Sequence, residues 1–163
     1  LAAFQEYSDR NKGIKLAPQY KQYTVAQSAA TERGKLGCAL YISGTLPFGT
    51  YKGQEVCITS QKVLILHSEP SLLIVRITNM VFNAIIVVAH SPWKDNEDPV
   101  RTKQSIDWFK SLQQHLNRWN EHNIPIITFI DANAAIQSAS ANTDKIQSDH
   151  EPFDLWYADF NST

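Results

Sequence analysis

The chain has 163 residues, with 15 Lys and Arg against 16 Asp and Glu for a formal charge of -1, and 43% of its residues are apolar. That length favours a single domain with room for a core. The charge balance excludes a highly charged disordered tail and a chain held to nucleic acid by bulk charge, so any nucleic-acid contact must come from local patches. Apolar runs such as Ala84 to Ala89 fall far short of the roughly 20 residues that cross a bilayer, so the sequence reads as soluble, with no membrane partner. Opening at Leu1, inside an apolar segment, it also reads as a fragment or a processed end.

In chain order, Leu1 to Gln5 is short and apolar and reads as a strand, with Glu6 at its exit and a polar loop through Lys15. Tyr20 to Ala26 and Leu36 to Ile42 are β-branched and aromatic, and Gly34 and Gly37 punctuate the turn between what read as adjacent strands. Gly44, Pro47, Gly49 and Gly53 mark a long connection before strand-like Glu55 to Thr59 and Val63 to His67, and Pro70 closes that unit. Leu72 to Thr78 alternates moderately. Ala84 to Ala89 is continuously apolar, as in a strand covered on both faces, and His90 follows it.

Asp98 and Pro99 make a helix start, because an Asp cap accepts a backbone N–H and proline at the first helical position loses no bond. The helix is predicted from Pro99 to about Glu121. Ile106, Phe109, Leu112, Leu116 and Trp119 form one apolar stripe, while Lys110, Gln114 and Arg118 face outward. Pro125 to Ile130 reads as another buried strand ending at Asp131, Ala132, Asn133 and Ala134. Residues 135–147 show little periodicity, and Phe153 to Phe160 reads as a short helix. Cys38 and Cys57 lie in apolar stretches without zinc-ligand spacing and read as buried thiols, a disulfide being the alternative. The element order predicts an α/β protein with mixed sheets.

Three polar clusters sit where a buried strand runs out: Gln5 with Glu6, His90, and Asp131 with Asn133. Carboxylates at strand exits suit Mg2+ or Mn2+, which bind through one or two carboxylates plus waters and phosphate oxygens. Asp131 and Asn133, two apart, project to one side of an extended backbone and can serve one ligand. Each position also has a plainer role: a solvated carboxylate at Glu6, a hydrogen-bonded strand terminus at His90, and turn chemistry at Asp131 and Asn133. Trp93 and Lys94, next to His90 and outside the apolar run, are candidate substrate contacts. Trp108, Phe109, Trp119 and Trp156 read as core rather than as base-stacking platforms.

The ordered segments LAAFQEYSD, LGCALYIS, IIVVAHSPW and IPIITFIDANA resemble hallmark strands of the endonuclease/exonuclease/phosphatase (DNase I-like) superfamily. The spellings DANA and AHSPW are most similar to endonuclease domains of non-LTR retrotransposons and related reverse-transcriptase polyproteins. The resemblance implies a single incomplete domain over residues 1–163, part of a four-layer α/β sandwich with mostly antiparallel sheets. The family's first strand and its C-terminal strands are not matched.

By that resemblance Glu6 holds Mg2+ or Mn2+, Asp131 positions the attacking water, and Asn133 and His90 bind the phosphate. The implied activity is metal-dependent nicking of DNA beside a linked reverse-transcriptase domain, in an intracellular setting that includes the nucleus. The alternatives are a non-catalytic truncated remnant, or a phosphatase or phospholipid phosphodiesterase of the same fold. Ser148, Asp149 and His150 spell the family's terminal Ser-Asp-His but stand too soon after Asn133 for the family's spacing, and they read as an exposed turn, a catalytic role for His150 being the alternative.

Overall fold

The structure, a computed structural model, describes residues 1–7, 12–16, 23–30, 37–92, 98–120 and 124–133. Trp93, Lys94, Ser148, Asp149, His150, Trp156 and the segments predicted over 135–147 and 153–160 lie outside the described residues. The chain divides into two compact units, one of residues 1–90 with 123–130 and the other of residues 91–122 with 131–163.

The first unit is built from two four-stranded sheets. One has the order β1-β4-β3-β2, from β1 (Ala2–Tyr7), β2 (Gly13–Leu16), β3 (Tyr23–Gln27) and β4 (Gly37–Ser43), with every pair antiparallel. The other has the order β10-β9-β8-β7, from β7 (Val63–Glu69), β8 (Leu72–Thr78), β9 (Asn83–His90) and β10 (Ile126–Asp131). Strands β7, β8 and β9 form an antiparallel meander, the first turn being Pro70 and Ser71 between paired Glu69 and Leu72.

Between β9 and β10 the ladder runs parallel. Ile85 N–H donates to Pro125 O (2.9 Å) and Ser91 N–H to Asp131 O (2.9 Å), so both chains advance six residues in the same direction. Parallel neighbours need a long connection, and here it carries the helix. The result is an α/β architecture of mixed sheets, mostly strands, with one helix among the described residues.

Alternation along the strands explains the core. Ala26, Cys38, Leu40 and Ile42 of one sheet cluster with Leu73, Val75, Ile77, Ala84, Ile86 and Val88 of the other, so the two sheets face each other across a shared apolar layer. The opposite set on β8 and β9, Leu72, Ile74, Ile85, Val87 and Ala89, is buried too. The unbroken apolar run of β9 therefore reports burial on both faces.

Several predicted bounds shift. Residues 13–16, predicted as loop, form β2, because Gly13 to Leu16 finds a ladder along β3 that a window of alternation cannot foresee. Gly37 is not a turn residue but the first residue of β4. The glycine-marked connection holds a hairpin of β5 (Gly49–Tyr51) and β6 (Gln54–Val56), and the strand predicted over Glu55 to Thr59 shrinks to its first residues. Lys52 and Gly53 turn that hairpin with φ of 51° and 79°, the positive values that a two-residue hairpin loop needs to match strand twist. Cys38 is buried, whereas Cys57 is only half-buried and lies just past β6. Both are free thiols, which sets aside the disulfide.

In the second unit, helix α1 spans Pro99–Asn120. Asp98 caps it: its Oδ1 accepts from Val100 N–H (2.9 Å) and Arg101 N–H (3.4 Å). Ser105, Phe109, Leu112 and Leu116 are buried, Ile106 and Trp119 are half-buried, and Lys110, Gln114 and Arg118 are exposed, as the periodicity predicted. No helix among the described residues is long and apolar enough to cross a membrane.

Candidate functional site

Glu6 does not stand beyond the end of its strand, as predicted, but inside it. The β1–β4 register pairs Phe4 with Ala39 and Tyr7 with Gly37, three steps on β1 against two on β4, so β1 carries one extra residue. Such a bulge bends the strand and re-aims side chains. Here Glu6 absorbs it with φ 54°, in the left-handed region, where a residue with a Cβ is disfavoured by roughly 1–2 kcal/mol.

The consequence is visible in where consecutive side chains go. Ala3 packs on the inter-sheet core, and Phe4 lies on the other face against the Tyr41 ring at 5.1 Å. Gln5 returns to the inner side, and its Nε2 donates to the Phe129 carbonyl of β10 (3.3 Å). Strict alternation would send Glu6 back out. Instead its Oε1 lies 3.8 Å from Nε2 of His90, on β9 in the facing sheet. The bulge thus lets two successive residues reach the same opposing sheet.

His90 is the last residue of β9, in step with Ala84, Ile86 and Val88 on the inward face. Its backbone N–H donates to Ser71 O (3.0 Å), extending the β8–β9 ladder by one rung. The pair is asymmetric, since the His90 side chain is 9% exposed and that of Glu6 is 67% exposed. A buried imidazole therefore backs a carboxylate that opens to solvent, and both were picked out in the sequence.

The second unit holds the other predicted pair. Asp131 closes β10, and its Oδ1 accepts from Asn133 N–H (3.1 Å), a local turn built from one side chain and the backbone two residues on. Asn133 has φ 46°, which asparagine tolerates better than most residues. Its Nδ2 donates to the Ser91 carbonyl (2.6 Å). The turn chemistry considered for this pair is thus realised, with Asp131 exposed and Asn133 half-buried.

Glu6 and His90 belong to the first unit, and Asp131 and Asn133 to the second. The buried Ser91, which organises the Asp131–Asn133 turn, was not singled out from the sequence; a serine before a proline at a strand exit reads only as a turn. Gln5, beside Glu6 in the sequence, instead ties β1 to β10 through its amide.

Among the described residues no group of three or more His, Cys, Asp or Glu gathers as a metal cage. The solvent-open carboxylate of Glu6 suits a different kind of ion. Mg2+ and Mn2+ keep several waters and take one or two protein carboxylates, so the donor chemistry fits a hydrated divalent cation held through Glu6. Neither a protein-family profile nor a curated protein matches the chain.

Proposed function

We propose that this chain is a divalent-metal-dependent phosphodiester hydrolase of the endonuclease/exonuclease/phosphatase type. We take its sheets to be part of that family's four-layer sandwich and its substrate to be DNA, nicked within a retroelement protein that also carries a reverse transcriptase. The observation that carries the reading is the Glu6–His90 pair. A strained bulge turns a solvent-open carboxylate towards a buried imidazole at a strand terminus, and strain held at polar, solvent-facing positions recurs at functional sites.

In this reading Glu6 holds Mg2+ or Mn2+. When bound, the ion would polarise the phosphate and stabilise the leaving oxygen. His90 donates to a phosphate oxygen from a position its strand fixes. Asp131 orients the attacking water, and Asn133 binds the phosphate through its amide. Trp93 and Lys94, which follow His90 closely in the chain, contact the substrate.

A second reading, a non-catalytic remnant of the fold, is favoured by the Asp131–Asn133 turn, where a carboxylate oxygen and an amide N–H of the proposed machinery serve local structure. A supercoiled-plasmid nicking assay separates the two, run with Mg2+ or Mn2+ and with EDTA, on this chain beside Glu6→Ala and Asp131→Ala. The hydrolase reading expects metal-dependent nicking that both substitutions abolish. Nicking that survives Glu6→Ala overturns the role given to Glu6, and absence of nicking supports the remnant.

A further inference from the structure

We infer that Ser91 is the positioning residue for Asp131 and Asn133, a role that rests on the function proposed above. Three polar groups of this one buried residue engage three successive residues of the β10 turn. Its N–H donates to Asp131 O (2.9 Å), its hydroxyl donates to the Ala132 carbonyl, and its carbonyl accepts from Asn133 Nδ2 (2.6 Å). The hydroxyl also lies 3.4 Å from the Pro92 carbonyl, so Ala132 is much the closer of its two acceptors.

The arrangement works through orientation. Asn133 is held in a left-handed backbone at φ 46°, and one of its two amide hydrogens is committed to Ser91 O. That bond decides which way the amide is flipped and so fixes the plane of the group to which the proposed function gives phosphate binding. Asp131 is fixed from two sides, through its backbone carbonyl by Ser91 and through its Oδ1 by Asn133 N–H. The hydroxyl pins Ala132, the peptide between them. Of the three groups that Ser91 contributes only the hydroxyl belongs to its side chain, so it alone can be removed without changing the backbone of Ser91. Ser91 touches no reacting atom in this scheme and acts through its neighbours.

The test uses the full chain with Ser91→Ala, and with Ser91→Cys, which keeps the side-chain shape with a somewhat larger atom and offers a weaker S–H donor. One readout is the 15N–1H signals of the Asn133 side-chain amide. The other is kcat and KM for Mg2+-dependent nicking of plasmid DNA. The expected result is a graded series, Ser above Cys above Ala. The Asn133 amide pair shifts and loses its exchange protection, and kcat falls roughly tenfold in the alanine variant with KM within about twofold, because small misplacements of aligned groups cost rate before binding.

Asn133 signals that superimpose on those of the parent in Ser91→Ala overturn the positioning role. If the parent chain does not nick DNA, the proposed function falls while the amide signals still decide what Ser91 does. If Ser91→Ala fails to fold, Ser91→Cys carries the same comparison.

Discussion

The carboxylate of Glu6 reaches the imidazole of His90, 3.8 Å away on the facing sheet, only because the backbone of Glu6 itself is left-handed. The strain and the proposed metal-holding role thus fall on one residue, and substitution separates them. Glycine visits that conformation without steric cost, so Glu6→Gly is expected to be more stable than Glu6→Ala by about 1 kcal/mol. The largely exposed side chain adds little packing of its own. Urea unfolding of the two variants checks this, and equal midpoints would mean that the bulge relaxes instead of storing strain. Both variants are expected to lose metal-dependent nicking, so the more stable of them would be as inactive as the other.

Cys38 supplies the pH dependence. Burial pushes its thiol up from 9.0 to about 12, because the thiolate would have to form in an apolar layer beside Leu40 and Ala26. The native state therefore holds its proton where the unfolded state has released it, and stability is full below pH 9 and falls as pH rises from 9 towards 12. The urea midpoint is expected to decline over that range, and Cys38→Ala to flatten the decline. With a thiol reagent at pH 8, half-buried Cys57 is expected to react first and Cys38 only on unfolding.

Asp98 tests the second unit. Its Oδ1 accepts from two N–H groups in the first turn of α1, and loss of such a cap costs about 1 kcal/mol. Asp98→Ala is expected to lower stability by that amount, while Asp98→Asn, which keeps a capping oxygen, stays close to the parent. Equal losses in both variants would assign the effect to the Arg101 Nε contact at 3.5 Å instead.

Periodicity revealed most of the framework. The stripe Phe109, Leu112, Leu116 and the unbroken run of β9 are local patterns with one physical reading, and both became buried elements. What escaped was set by partners distant in sequence. Residues 13–16 are a strand only because β3 lies alongside. The bulge in β1 is a mismatch of count with β4, which no property of Ala2 to Tyr7 alone reveals. The candidate site divides in the same way. Glu6, His90, Asp131 and Asn133 are chemically conspicuous, whereas Ser91 matters for where its backbone and hydroxyl lie.

The parallel seam between β9 and β10 has a kinetic consequence. The β7–β8–β9 meander closes through short turns and is expected to form early, but β10 can join only once the long connection that follows β9 has closed, an entropy cost that precedes any reward from pairing. As one of the two edge strands of its sheet among the described residues, β10 is released more easily than the inner strands, so its amides should exchange with deuterium well before those of β8 and β9. The segment ending in Asp131 would then be the last to arrive and the first to leave, and the chain would pass through a state in which the meander is already folded while β10 is still in solution.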